Sequence, residues 1–191
     1  MLPKKKTDLA LRLFFGHATK EHHWEFWMLY CKPGQMLPKK KTIVAIRLFI
    51  LACCYGAQLE VVAALLQACP DAAKEKDDVG LTPLHYACLN YNTPSEEMIL
   101  LLNTWLSYTE NRTESAIVTL QNDEDVSNLT RDVEILFSHL FALYNSNADN
   151  PSPNEIIDYF IHIEVWNGAT LVLERHPTVF KTMGLDTKVM A

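Results

Sequence analysis

The stretch DDVGLTPLHYAC, from Asp77 to Cys88, describes a tight turn followed at once by the start of a helix. Gly80 permits the positive φ angle that such a turn needs. Thr82 is a natural N-cap, because its hydroxyl can accept a hydrogen bond from a backbone N–H of the first helical turn. Pro83 then occupies the first helical position, where no amide donor is missed. The stretch therefore predicts a turn that ends at Thr82 and a helix that begins at Pro83.

The predicted helix has one apolar face. Leu84, Ala87 and Cys88 fall on that face, and the two small side chains allow a neighbouring helix to approach closely. His85 is the third helical residue, from which a side chain can reach back toward Thr82. The pattern indicates a short helix that is buried against another helix.

A Thr-Pro-Leu-His tetrapeptide with glycine two positions earlier and small residues after it resembles the signature of an ankyrin repeat, a helical unit of about 33 residues. The resemblance implies an all-α, ankyrin-like solenoid of stacked helix-turn-helix units. It also implies that His85 is a structural bridge between loop and helix rather than a catalytic or metal-binding residue. The motif positions are Gly80, Thr82, Pro83, Leu84, His85, Ala87 and Cys88.

An internal duplication supports a repeat architecture. The heptapeptide MLPKKKT occurs at residues 1–7 and again at residues 36–42. Extended along the chain, this offset predicts a degenerate or duplicated N-terminal repeat at 1–35 and two ankyrin-like repeats at 36–106. The polar, acidic sequence that follows predicts an inserted loop at 107–130. Residues 131–191 are predicted to form a helical, degenerate and truncated C-terminal repeat region.

Helical periodicity predicts further elements outside the motif. The middle repeat has an apolar stripe of Val61, Val62, Leu65, Leu66 and Cys69, which Pro70 ends. The next repeat has a helix that opens after Pro94 and carries Met98, Leu101, Leu102 and Trp105 on its buried side. Later helices are predicted from about Asp132 and over residues 155–166, the latter followed by Gly168 and Ala169.

Composition and charge narrow the classes of function. The chain of 191 residues is 49% hydrophobic, which suffices for one sizeable core, and its net charge is −6. Residues 1–42 hold nine basic and three acidic residues, so the remainder is strongly acidic, which argues against nucleic acid as the main ligand. The most hydrophobic run, residues 43–55, is too short to span a bilayer and contains Arg47. The clusters Pro3–Lys6 and Pro38–Lys41 are interpreted as solvated turns, with a nuclear-import signal or an anion-binding patch as alternatives.

The sequence contains no established catalytic motif. A phosphate-binding glycine loop, a GxSxG elbow and an HExxH helix are all absent from it. His17, His22, His23 and Cys31 suggest a metal site, but their spacing does not place two ligands one helical turn apart. The acidic run 123–125 lacks the alternating ligands and glycine of a calcium loop. We therefore expect no catalytic residue, no metal and no cofactor.

The resemblance implies that the chain binds another protein through its loops and concave helical face. The positions that would face the partner are Asp78, Val79, Leu81, Tyr91 and Asn92. We expect a monomer in the cytoplasm, or in the nucleus if the basic clusters act as an import signal, with neither nucleic acid nor membrane as a partner. Two alternatives stay open at this point: a metal-binding or enzymatic helical domain that uses the N-terminal histidine and cysteine cluster, and a binder of nucleic acid or anionic membranes that uses the basic clusters.

Overall fold

The computed structural model describes residues 46, 49–54, 56–90, 93–121, 130–145, 147 and 149–182. All of them lie in the second of the two units into which the chain divides, Lys39–Ala191. The regular structure of these residues is helical throughout, with no strand among them, so the prediction of an all-α fold is confirmed. The predicted N-terminal repeat at 1–35 lies outside the described residues.

The described helices follow one another with short connections. After a helical segment at 49–54 come α1 (Leu59–Ala68), α2 (Pro83–Leu89), α3 (Ser95–Leu106), α4 (Glu114–Gln121), α5 (Arg131–Ala142), α6 (Pro153–His162), α7 (Trp166–Arg175) and α8 (Val179–Thr182). Two 3₁₀ turns, Pro70–Ala73 and Thr109–Arg112, lie between them. No described helix combines the length and the apolar character that crossing a membrane requires.

Local capping chemistry explains where α6 begins. Ser152 is the N-cap, and Pro153 occupies the first helical position, as at Thr82 and Pro83. The Ser152 amide donates to the Glu155 carboxylate at 2.7 Å, and the Glu155 amide donates back to the Ser152 hydroxyl at 3.4 Å. This reciprocal pair satisfies two backbone donors that the helix itself leaves open.

Helix α3 is central to the described part of the chain. It packs against α1, α2, α5 and α7. The residues predicted to form its buried side do so, and one further leucine joins them: Met98, Leu101, Leu102, Trp105 and Leu106. The predicted apolar stripe of α1 is confirmed in part, since Val62 and Leu66 are buried while Val61 is exposed.

Polar contacts tie α7 to α3. The Asn167 backbone N–H donates to Asn103 Oδ1 at 2.9 Å, and Asn167 Nδ2 donates to the Asn103 carbonyl at 2.9 Å. An ion pair between Arg112 and Glu174 lies beside them. Helix α7 therefore lies directly against α3, although α4, α5 and α6 separate the two in sequence.

The predicted acidic loop at 107–130 is wrong for its first half. Residues Thr109–Arg112 and α4 are helical, and Ile117 and Leu120 of α4 are buried in the common core. The Thr113 hydroxyl accepts a hydrogen bond from the Ala116 amide at 3.3 Å at the start of α4. Helix α4 was not predicted because its sequence is mostly polar and only a few apolar residues, one helical turn apart, pack against the core. Residues 122–129 lie outside the described part.

The helix predicted over residues 155–166 is also wrong at its C-terminal end. Helix α6 stops at His162, and Glu164 then adopts a positive φ of 61° before α7 begins at Trp166. Gly168 and Ala169 therefore lie inside α7. A Cβ atom added to Gly168 would meet Val165 Cγ1 at 2.9 Å and Phe160 Cδ2 at 3.0 Å, so glycine is needed for the close approach of α6 and α7.

Substitution of Gly168 by alanine is expected to destabilise the protein. The added methyl group has no room between Val165 and Phe160, and overpacking of this kind costs about 1–3 kcal/mol. Equilibrium unfolding in urea measures the loss. Thr170→Ala in the exposed part of the same helix is the matched control and should change stability by less than about 0.5 kcal/mol. Equal stability of the Gly168→Ala variant and the unmodified chain would contradict the packing described here.

Candidate functional site

The turn before α2 is organised by the Asp77 carboxylate. Asp77 Oδ1 accepts hydrogen bonds from the backbone N–H of Val79 at 3.0 Å and of Leu81 at 2.9 Å. The Tyr86 hydroxyl on α2 donates to Asp77 Oδ2 at 2.6 Å. These bonds lower the pKa of Asp77, the one from Tyr86 most, and the same bond helps to raise the pKa of Tyr86 to about 12. The Asp77 carboxylate therefore fixes the backbone of the turn and joins the turn to α2.

Backbone bonds complete the turn. The Asp77 amide donates to the Leu81 carbonyl at 3.0 Å, and the Gly80 amide donates to the Asp77 carbonyl at 3.1 Å. Gly80 has a φ of 95°, a left-handed conformation that residues with a Cβ adopt only with strain. The prediction that Gly80 forms a tight turn is confirmed.

Two of the five predicted partner-facing residues project from this turn. Val79 is 78% exposed, which is unusual for an apolar side chain, and Asp78 beside it is also exposed. Leu81 is only half-exposed. Tyr91 and Asn92 lie outside the described residues. The structure therefore brings Asp78 and Val79 together at the tip of a well-bonded turn.

The motif residues lie at the start of α2, where His85 joins the end of the turn to the helix. Nδ1 of His85 accepts from the Thr82 backbone N–H at 3.1 Å, and the Thr82 side chain faces the His85 backbone N–H in return, so the two residues form a capping box. Nδ1 of His85 also contacts the Thr82 hydroxyl at 2.6 Å. Thr82, Pro83, Leu84, His85, Ala87 and Cys88 are all buried. Nε2 of His85 lies 3.4 Å from the Thr119 hydroxyl on α4, a contact that sequence reasoning missed because α4 itself was not predicted.

A polar cavity of about 180 Å³ adjoins the turn. Its inner wall is buried and comprises Thr82, His85, Trp105 and Asn111. Its outer wall is largely exposed and comprises Lys76, Glu110, Thr113, Ser115, Ala116 and Thr119. The opposite charges of Lys76 and Glu110 balance, so the lining offers hydrogen bonds rather than a strong electrostatic field.

Potential metal ligands lie apart from one another in the described part of the chain. Among the described residues, no three histidine, cysteine or acidic side chains come together in a way that could hold a metal ion. His85, the histidine in the cavity wall, is engaged in capping α2. The proposed metal cluster of His17, His22, His23 and Cys31 lies outside the described residues, as does the acidic run 123–125.

Asp77 and Tyr86 are the residues of this site that sequence reasoning missed. An aspartate three residues before a glycine is a recognisable turn signal, because its side chain can accept from backbone N–H groups further along the chain. The partnership with Tyr86 depends on how α2 folds back on the turn. In comparisons with family models, curated proteins and solved structures, no match to this chain was found.

Proposed function

We propose that the chain is a non-catalytic protein-interaction domain of ankyrin type, which binds another protein through the turn Asp77–Leu81 and the surface around it. The observation that carries this proposal is the exposed Val79 side chain on a turn whose backbone is already fixed by Asp77. A fixed loop loses little conformational freedom on binding, so an apolar contact at its tip contributes more fully to affinity. Asp78 beside it supplies a charge that orients the partner.

The arrangement of helices supports the ankyrin-type architecture. In such a solenoid, successive helix pairs stack so that their second helices lie side by side. Helix α3 packs against both α1 and α7, which gives the order α1, α3, α7 for the second helices of three pairs. Helices α4 and α5 then form an insertion between the second and third pair. On this interpretation the insertion extends beyond the segment predicted from the sequence, 107–130, because α5 lies in the region 131–191 that was predicted to be a degenerate C-terminal repeat.

The function is tested by a charge placed at the tip of the turn. Val79→Asp should not unfold the protein, since the side chain is exposed, and it should abolish the apolar contact with a partner. The measurement is affinity purification of the tagged chain from its own cells, with quantification of each co-purifying protein. Ile161→Asp, at a partly exposed apolar position on α6, is the matched control.

The expected result is a specific loss of one or more co-purifying proteins in the Val79→Asp sample, with their retention in the Ile161→Asp sample. Asp77→Ala adds an independent comparison because it leaves Val79 in place and removes the bonds that fix the turn. It should weaken the same interaction by about 1 kcal/mol through loss of preorganisation. Retention of every partner by both turn variants would refute binding through this surface.

A further inference from the structure

The Glu97 side chain lies in an unusual environment at the start of α3. It is 0% exposed, while its neighbour Glu96 is exposed. Within the described part of the chain, neither carboxylate oxygen of Glu97 has a hydrogen-bond partner. An ionised carboxylate in this position loses its hydration, and no donor replaces the lost water.

The groups around Glu97 do not compensate a negative charge. Phe49 and Cys53 of the 49–54 segment belong to the same buried core as Met98, the residue after Glu97, and the pKa of the Cys53 thiol is raised first by burial and then by the Glu97 charge. Burial alone raises the pKa of Glu97, from 4.5 to about 7. The elements packed on α3 also carry charged or titratable side chains, but none of these contributes to the raised pKa of Glu97. They are Glu60 on α1, Asp71 and Lys74 at the Pro70–Ala73 turn, His85 on α2, Glu110 and Arg112 on the Thr109–Arg112 turn, Arg131, Asp132, Glu134 and His139 on α5, and Glu174 and Arg175 on α7.

We propose that Glu97 is a proton-binding site that makes the packing of the 49–54 segment against α3 dependent on pH. The buried carboxyl holds its proton while the surrounding core encloses it. When the proton leaves to solvent, the charged carboxylate favours an opened arrangement in which water reaches it. The proposal concerns a conformational property and does not depend on which partner binds the turn at Val79.

The direction of the pH dependence follows from the two protonation equilibria. Because the pKa in the folded state, about 7, is higher than the ordinary value of 4.5, the folded chain binds the proton more tightly than the unfolded chain. Below about pH 4.5 both states are protonated and folding is unaffected by this group. Stability then decreases as the pH rises from 4.5 to 7, and above 7 the loss is complete.

Urea unfolding between pH 5 and pH 8 tests the proposal on three proteins: the unmodified chain, Glu97→Gln and Glu96→Gln. Glutamine is neutral at every pH, so the ratio of the folding constant of Glu97→Gln to that of the unmodified chain should increase roughly 70-fold from pH 5 to pH 8. Glu96→Gln removes the same charge from an exposed neighbour and should follow the unmodified chain closely. Parallel profiles for the unmodified chain and Glu97→Gln would overturn the proposal.

Two further measurements distinguish the parts of the proposal. Carbon-13 NMR of glutamate-labelled, unmodified protein gives the titration midpoint of Glu97 directly, and it decides the matter if Glu97→Gln does not fold. A midpoint near 7 is expected, and a midpoint near 4.5 would refute the claim that Glu97 holds a proton in the folded state.

Amide hydrogen exchange at residues 49–54 should show lower protection at pH 8 than at pH 5 in the unmodified chain but not in Glu97→Gln. Unchanged protection there would refute the link to this segment.

Discussion

Replacement of Trp105 by alanine is expected to destabilise the protein by about 3–5 kcal/mol, which is a large fraction of the roughly 5–15 kcal/mol by which an ordinary domain is stable. Trp105 is the largest fully buried side chain among the described residues and is 1% exposed. It lies on α3, which contacts α1, α2, α5 and α7, so the cavity left by its removal would open at the junction of the described helices. The indole also meets the His85 ring edge to face, with ring centroids 6.5 Å apart. Equilibrium urea unfolding followed by circular dichroism measures the effect.

Trp166→Ala is the matched control for this substitution. Trp166 stands at the first position of α7 and is 57% exposed, so its truncation removes little buried area and should cost less than about 1 kcal/mol. Losses of similar size in the two variants would mean that α3 is not the centre of the packing.

Trp105→Phe separates the contribution of the apolar volume of the indole from that of its buried N–H group. The indole N–H is buried and has no acceptor among the described residues. Phenylalanine keeps most of the apolar volume and removes this unsatisfied donor, which itself costs free energy in the folded state. We expect a loss of roughly 1 kcal/mol or less for this variant, because relief of the buried donor offsets part of the smaller packing area.

The sequence predicted best those features that depend on neighbouring residues alone. The start of α2 follows from Thr82 and Pro83, and the turn before it follows from Gly80, because capping and φ preference act within a few residues. The buried side of α3 was equally accessible, since an apolar residue every three or four positions is enough to define it.

Features that depend on tertiary contacts were missed. Helix α4 is short and polar, and Ile117 and Leu120 hold it in place only because a core exists for them to enter. The end of α6 was placed too late, and Gly168, which was expected to follow that helix, lies inside α7, where it permits the close approach of α7 to Phe160. Nor could the burial of Glu97 be predicted from its place in the first turn of α3, where an acidic residue is normally exposed and favoured by the helix dipole.

The candidate site shows the same division. The resemblance to an ankyrin repeat predicted that Asp78 and Val79 face a partner, and the structure places both at the exposed tip of the turn, while binding there stays a prediction. It did not identify Asp77 as the residue that holds the turn, because the bond from Tyr86 requires the folded position of α2. Side chains that project outward could thus be found from a motif, while those that fix the backbone beneath them required the structure.

His85→Ala is expected to cost about 3 kcal/mol, although the substituted residue is not part of the apolar core. Nδ1 of His85 accepts from the Thr82 amide at 3.1 Å and lies 2.6 Å from the Thr82 hydroxyl, and both residues are buried. Removal of the imidazole leaves that amide buried without an acceptor, which costs about 1–3 kcal/mol, and it also weakens the cap of α2 by about 1 kcal/mol. Urea unfolding measures the total loss.

A double-mutant cycle with Thr82→Ala shows whether this cost arises from the capping pair. Since the two residues share their hydrogen bonds, the double variant should lose less than the sum of the single losses, by about 1 kcal/mol or more. Thr119→Ala, which removes only the 3.4 Å contact at Nε2, should cost much less than His85→Ala. Because the capping pair fixes where the turn ends and α2 begins, His85→Ala should also increase amide exchange at Val79 and Leu81. Additive losses in the cycle, with unchanged exchange in the turn, would show that His85 acts by filling space and not by joining the turn to the helix.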